Sequence, residues 1–314
     1  MGLPSNVAPT LGGRMERLKL RHLQLLDQIM RCGSLSAAAL SLGMSQPGAT
    51  KLLHELELAL GKPLVDRGPR GGRLTQAGER VLERVRVALG ALSTAQTVLQ
   101  QAQDRPLVRL GILPLVGIDA LAQVVADLQA RGDLPRLVIR TGTVEGLLSL
   151  LAQGEVDAVV GGLDGEWVPQ HLQQLDVRPL WTNQLVAICA KRHPLAKRTA
   201  VPRAELQDSE WVLMPRGSTS RRAFDEAFLT AGLAPPPATI ECESFHMGLS
   251  LAAHTSLLAV VPKAAYLQHR SRVHCIALSE PFPSNAIVWM TLRGIPIMPA
   301  VQTMAQAFEA HARA

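Results

Sequence analysis

Gly33-Ser34-Leu35-Ser36-Ala37-Ala38-Ala39-Leu40-Ser41-Leu42-Gly43-Met44-Ser45-Gln46-Pro47 is the stretch whose reading decides the N-terminal architecture. Leu35, Ala38, Ala39 and Leu42 recur at helical spacing, which predicts a short helix over 34–42 that Ser34 or Ser36 can cap. Gly43-Met44-Ser45 leaves room only for a tight turn. A second helix over 46–60 then starts with Ser45 as cap and Pro47 in its first turn, packs Ala49, Leu52, Leu53, Leu56 and Leu60, and stops at Gly61. Two helices joined this closely have helix-turn-helix spacing. Outward from this pair, 21–31 reads as a preceding helix with Leu23, Leu26 and Ile29/Met30 on one face. On the other side Leu64-Val65 and Arg73-Leu74 read as short strands flanking the basic turn Asp66-Arg67-Gly68-Pro69-Arg70-Gly71-Gly72, a wing.

The charge supports that reading. The chain has 314 residues and a net charge of +6, and from Arg14 to Arg86 there are 13 Lys/Arg against 7 Asp/Glu. The remainder balances at 19 against 19, so the N-terminal quarter carries the whole excess, as a polyanion-binding module does. Aromatics at 3% argue against a sheet that stacks single-stranded bases.

From 76 to 103 a long helix is expected, about 40 Å at 1.5 Å per residue. Leu82, Val85, Leu89, Leu92, Gln96 and Leu99 repeat at alternating spacings of three and four, with Val81, Ala88, Ala95 and Ala102 beside them, a heptad seam suited to a dimer. Past Asp104-Arg105-Pro106 the pattern becomes strand, helix, strand, helix, strand over 107–113, 118–130, 137–140, 145–152 and 156–160. A second series follows, with strands at 184–190, 211–214, 238–242 and 257–261, helices at 219–231 and 245–254, and a late strand and helix at 286–292 and 299–312. Such alternation calls for parallel sheets covered by helices. Two similar lobes suggest a hinged domain with a ligand between them, at the carboxyl ends of the strands.

These residues resemble the LysR-type transcriptional regulators across nearly the whole chain. The resemblance rests on the opening stretch and continues through Leu56-Glu57, Gly61, Pro63-Leu64, Arg67 and Leu74-Thr75-Gln76-Ala77-Gly78. It returns at Gly154-Glu155-Val156-Asp157-Ala158-Val159-Val160-Gly161 and His193-Pro194-Leu195-Ala196. Gly48, Ala49, Thr50 and Val65 depart from the usual pattern, and Gly48 is expected to soften its helix by about 1 kcal/mol relative to Ala. The resemblance implies an α/β protein with a winged helix-turn-helix, a dimerising linker helix and a two-lobed, periplasmic-binding-protein-like effector domain. It also implies a dimer of dimers on DNA, a homotetramer, with RNA polymerase as a possible further partner. The expected boundaries are 1–14 disordered, 15–75 for the DNA-binding domain, 76–104 for the linker and 107–314 for the effector domain. Within the last, lobe I takes about 107–178 and 281–314, and lobe II about 180–278.

The DNA partner is expected to meet the first turn of the second helix of the pair. There Gln46 can bond a base edge, Pro47 can touch a thymine methyl, and Thr50 and Lys51 face base edge or phosphate. Ser36 and Ser45 either cap helices or add phosphate contacts. Arg67, Arg70 and Arg73 reach phosphates or the minor groove. For the small-molecule effector, three loops stand out: Leu113-Pro114-Leu115, Thr141-Gly142-Thr143 and Pro215-Arg216-Gly217-Ser218-Thr219. The last combines free N–H groups, two hydroxyls and a helix start, which suits an anion, although Ser218 or Thr219 can equally be a plain cap. The apolar first loop disfavours a small, fully polar anion and favours an organic acid with an apolar body; a sugar-type metabolite is the other class considered. Ser244-Phe245-His246 lies at another strand end, with Phe245 a candidate lining residue and His246 more readily structural.

No cofactor or metal is expected. Cys32, Cys189, Cys242 and Cys275 contain no C-x-x-C pair and read as small buried thiols of a reducing cytoplasm. No run reaches the roughly 20 apolar residues of a membrane span, and 1–13 lacks the pattern of a secretory signal. An enzyme is the runner-up, but Gly248-Leu249-Ser250-Leu251-Ala252 lacks the second glycine of a nucleophile elbow and sits in a helical pattern. A transport-type solute-binding protein fits the lobes but not the basic N-terminal module.

Overall fold

The computed structural model describes residues 18–66, 73–100, 105–162 and 172–313, with the backbone alone for 91 and 93–100. The expectation for 1–14, the wing residues Arg67 and Arg70, and the side chains of Ala95, Gln96, Leu99 and Ala102 lie outside the described residues. Contacts divide the chain into two compact units, 1–102 with 152–155 and 103–151 with 156–314.

The first unit contains α1 (Leu20–Cys32), α2 (Leu35–Ser41), α3 (Gln46–Leu60), the hairpin β1 (Val65–Asp66) and β2 (Arg73–Leu74), and α4 (Gln76–Gln100). Its core gathers Leu25, Leu26 and Ile29 of α1, Ala38 and Ala39 of α2, and Ala49, Leu53 and Leu56 of α3. The small alanines let α2 lie close to its neighbours. Ser34, not Ser36, caps α2 by accepting the Ala37 N–H at 3.2 Å. Ser45 caps α3 by accepting the Gly48 N–H at 3.3 Å, so the departure at Gly48 falls in the first turn and α3 runs through it unbroken. Gly43, at φ +63°, makes the turn between α2 and α3. Further along, Glu57 Oε1 accepts the N–H groups of Leu64 and Val65 at 2.8 and 3.2 Å and fixes the entry to the hairpin. Thr75 donates its hydroxyl to Pro63 O at 2.9 Å and caps α4 by accepting the Gly78 N–H at 3.0 Å. A Cβ at Gly78 would sit 2.1 Å from Leu64 O, so only glycine allows this approach.

The heptad seam requires a correction. Leu82 and Val85 are 3% and 6% exposed and belong to the core of their own unit, with Val81 and Leu89 packed beside them. The stripe fits α1 as well as it would fit a second helix, because both are helix faces 3.5 to 3.6 residues in period. Asp27 of α1 secures this contact by accepting from Arg86 and from Arg31, each at 2.7 Å. Of the seam, Leu92 is the described residue left facing solvent, at 52%.

The second unit has two lobes. Lobe I is a five-stranded sheet ordered β4-β3-β5-β12-β6, built from β3 (Leu107–Ile112), β4 (Arg136–Thr141), β5 (Ala158–Gly162), β6 (Leu175–Asn183) and β12 (Asn285–Leu292). Lobe II is ordered β11-β7-β10-β8-β9, from β7 (Leu185–Ala190), β8 (Trp211–Leu213), β9 (Ala238–Glu241), β10 (Leu258–Pro262) and β11 (Val273–Cys275). In each lobe three parallel strands are followed by two antiparallel ones, so the sheets are mixed where the alternation suggested parallel ones. Helices α5 (Ala120–Arg131), α6 (Val144–Ala152) and α10 (Pro299–Arg313) belong to lobe I. Helices α7 (Thr219–Thr230), α8 (Phe245–His254) and α9 (Lys263–His269) belong to lobe II. β6 runs into β7 with only Gln184 between, and the chain returns through 276–284 into β12, giving two crossings between lobes.

Conserving that frame are two ion pairs with extra backbone bonds. Asp157 accepts from Arg109 Nη2 at 2.6 Å and from the Arg109 N–H at 2.7 Å, tying β3 to the start of β5. Buried Arg203 donates to Glu280 Oε2 and O, both at 2.9 Å, and holds the returning segment against lobe II. Leaving such a charge unpaired would be costly, which makes each pair a specifier of position more than a source of net stability.

Candidate functional sites

In the first unit, α3 places Gln46, Pro47, Thr50 and Lys51 side by side on one exposed face with His54. The opposite face of the helix carries Ala49, Leu53 and Leu56 into the core, so the helical period itself turns these five residues outward. Thr50 donates its hydroxyl back to Gln46 O at 3.0 Å, and Lys51 lies 4.0 Å from Glu55. Ser36 is exposed on α2, and its hydroxyl is not used as a cap; the Ser45 oxygen is, at the start of α3. Arg73 opens β2, exposed and paired in register with Asp66. His54 was not among the sequence candidates, since a lone histidine carries no distinguishing signal there.

In the second unit the two lobes enclose a cavity of about 470 Å³. All three candidate loops reach it: Leu113, Pro114 and Leu115 after β3, Thr141, Gly142 and Thr143 after β4, and Ser218 and Thr219 at the start of α7, with Phe245 of α8. Gly217 is not part of the lining; its φ of +87° turns the loop that presents Ser218. Sequence reasoning missed Gly117, Ile118, Met214, Ser220 and Glu243 as lining, and weighed His246 as structural.

Three helix starts meet at this cavity. Thr143 accepts the Gly146 N–H at 3.2 Å, Ser218 accepts the Arg221 N–H at 3.2 Å, and Ser244 accepts the Met247 N–H at 3.3 Å. Each start leaves other N–H groups without helical partners and brings the positive end of a helix dipole. Thr219 is 5% exposed, and its hydroxyl has no hydrogen-bond partner among the described residues. An unsatisfied buried hydroxyl costs about 1–3 kcal/mol, and this one belongs to a residue on the cavity wall. The opposite character comes from the apolar lining residues Leu113 and Leu115 of lobe I and Phe245 of lobe II. At the rim Arg222 of α7 donates to Gly217 O at 2.6 Å and lies 3.6 Å from Glu145 of α6, spanning the lobes. Gln268 of α9 donates to Ile118 O at 3.2 Å, a second link between them.

The stretch Gly248 to Ala252 lies inside α8, so Ser250 occupies mid-helix and not a strand-to-helix elbow. Among the described residues no three His, Cys, Asp or Glu side chains are grouped to hold a metal ion. None of the described helices is long and apolar enough to cross a membrane.

Of the four cysteines read as buried, Cys189 is; Cys242 and Cys275 are half-buried, and Cys32, which ends α1, is exposed, because the amphipathic face of α1 has already turned away from the core there. Cys189 is buried in β7, and burial, with Cys275 nearby, raises its thiol from 9.0 to about 11. Burial raises the Cys275 thiol as well, with Lys263 partly opposing. A raised thiol pKa means folding favours the protonated form. Stability from Cys189 is therefore fully present below pH 9 and is lost as pH climbs from there towards 11. Alkylation by iodoacetamide in native buffer is expected to label Cys32 and spare Cys189 until the protein unfolds, as peptide mass mapping would show. Prompt native labelling of Cys189 would contradict this assignment.

A basic helix-turn-helix unit joined in one chain to a two-lobed ligand-binding domain defines a regulator that couples DNA to a small molecule. The chain belongs to the LysR family of DNA-binding transcriptional regulators. Residues 20–79 match the bacterial regulatory helix-turn-helix protein of the lysR family, and residues 101–313 match the LysR substrate binding domain. It is 28% identical over 306 residues to the HTH-type transcriptional regulator GbpR of Azospirillum brasilense, covering 94% of this chain and 86% of that protein. Full-length CbnR complexed with its target DNA shares the fold at a TM-score of 0.53 and 18% identity, over 94% of this chain and 100% of that one. The effector-binding domain of QuiR in complex with shikimate matches at a TM-score of 0.58 and 18% identity, over 67% of this chain and 98% of that one.

Proposed function

We propose that this regulator senses an organic acid with an apolar body, bound between the lobes. The observation that carries the reading is the buried, unpartnered Thr219 hydroxyl at the start of α7, where helix dipole and free N–H groups favour a carboxylate. Leu113, Pro114, Leu115 and Phe245 then take the apolar part, and Thr141, Gly142 and Thr143 complete the lining from lobe I. QuiR, whose domain holds shikimate, gives precedent for an organic acid in this fold. The domain is read as a sensor without catalysis, cofactor or metal, acting in the cytoplasm. A thermal-shift panel of carboxylates, their neutral amides and simple sugars tests the reading. Acids at about 100 times their dissociation constant should stabilise the protein by about 2.7 kcal/mol. Stabilisation by amides or sugars but by no acid would overturn it.

On DNA, the reading places Gln46, Pro47, Thr50 and Lys51 in the major groove, Ser36 and Ser45 at phosphates, and Arg73 with Arg67 and Arg70 on the wing. Their shared exposure on one face of α3 supports this for the first four. Gln46→Ala is expected to cost about 1–3 kcal/mol at the operator and almost nothing on random DNA. Lys51→Ala is expected to weaken both and to lower the salt slope by about one. Fluorescence anisotropy at several salt concentrations measures both, and equal losses on both DNAs for Gln46→Ala would move base reading elsewhere. Self-assembly through α4 into dimers, paired as a tetramer, and contact with RNA polymerase complete the proposal.

A further inference from the structure

The interlobe cavity holds a charge that a site for a plain carboxylate would not need. Glu243 lines it, immediately before Ser244 at the start of α8, and is solvent-exposed. Among the described residues it has no ion pair and no hydrogen bond. An acidic residue before a helix start is favourable in itself, since it faces the positive end of the dipole. Inside a cavity whose other helix starts and Arg216 draw an anion, however, it repels that anion. The repulsion disappears if the ligand brings a hydrogen-bond donor to the carboxylate.

The rest of the cavity allows for such a molecule. Thr219, 5% exposed and unpartnered, fixes where the acid end docks, at α7. Glu243 stands at a different helix start, α8, so the two polar groups are served from different elements. Leu113, Leu115 and Phe245 give the body between them an apolar wall. The volume of about 470 Å³ is that of a small-molecule site, larger than a bare inorganic anion requires.

We infer that the effector is a carboxylic acid carrying a second, hydrogen-bond-donating group, a hydroxyl or an ammonium, on an apolar ring or chain, with Glu243 reading that group. This rests on the organic-acid reading above and narrows it. A ligand lacking the donor displaces water from the Glu243 carboxylate without replacing its hydrogen bond, which is the physical source of the selectivity.

Three probes of one shape test it on the full-length protein: cyclohexanecarboxylate, 4-hydroxycyclohexanecarboxylate and 4-aminocyclohexanecarboxylate. Titration calorimetry of wild type should give at least one donor-bearing probe about tenfold tighter than the plain acid. Glu243→Gln keeps the shape and removes the charge. It should shrink that advantage, most for the ammonium, since the Gln carbonyl still accepts, and it should tighten the plain acid. An ammonium partner would show a preference that weakens with salt, and a hydroxyl partner one that does not. If the plain acid binds wild type and Glu243→Gln alike and the donor brings no gain, this inference falls and the organic-acid reading stands. If the amides of the same rings bind as well as the acids, both fall. Unchanged circular dichroism of Glu243→Gln confirms that the exposed substitution leaves the fold intact.

Discussion

Leu82→Glu is expected to unfold the DNA-binding unit, while Leu92→Glu leaves it folded and changes only its self-association. Leu82 is 3% exposed and packs with Leu25, Leu26, Ile29, Leu53 and Leu56. Truncation to Ala alone should cost about 2–5 kcal/mol. A carboxylate there has no described partner and can be accommodated only by protonation or by opening the core. The measurement is a thermal melt followed by DNA binding: Leu82→Glu should lose the unit's transition and its DNA affinity together. Leu92 is 52% exposed, so Leu92→Glu should melt like wild type. In sedimentation, however, it should shift towards the monomer, because it places charge at the described seam residue that α4 leaves facing solvent. A normal melt for Leu82→Glu would remove Leu82 from the core. An unchanged assembly for Leu92→Glu would take this part of α4 out of the interface.

The second large effect runs in two directions at once. Thr219→Val replaces a buried, unpartnered hydroxyl by a methyl group of similar volume. Removing a polar group that has no partner removes its desolvation cost, so the ligand-free protein should become more stable by about 1–3 kcal/mol. The same change should abolish stabilisation by organic acids and the effector-dependent change in DNA footprint. Ser218→Ala, by contrast, removes a helix cap and should destabilise α7 by about 1 kcal/mol. A protein that is stiffer when empty yet deaf to its ligand is the outcome expected for a site held ready at the expense of stability. A destabilised Thr219→Val would mean that the hydroxyl has a partner in solution and that its role is structural.

Most elements were legible because their periodicity and end signals agreed. The readings 46–60 and 245–254 coincide with α3 and α8, where Ser45 and Ser244 cap the starts. β6 escaped notice for a physical reason: it is an edge strand with Pro179 at an irregularity in its pairing to β12, and proline usually argues against a strand. β11 and α9 are short, three and seven residues, too brief for a period to show. The seam of α4 was visible as a stripe, but nothing in its spacing tells whether α1 or another chain covers it. At the interlobe cavity, the loops after parallel strands were predictable from topology. Met214, Ser220 and Glu243 were not, since they line it only because lobe II folds its helix starts towards lobe I.

The late return of the chain has a consequence for synthesis. β12 lies between β5 and β6 in lobe I, yet it is separated from them in sequence by the whole of lobe II. A nascent chain at residue 284 has every strand of lobe II but lacks the middle of lobe I, so the later-encoded lobe can close first on the ribosome. Until β12 arrives, β5 and β6 each present an unpaired edge, and the apolar faces of Val159 and Val160 lack the Trp289 and Met290 that pair with them. A stop codon or proteolytic cut between β11 and β12 therefore destroys the lobe nearest the start of the domain, not the one nearest the cut, and leaves behind a sticky species of the kind chaperones retain.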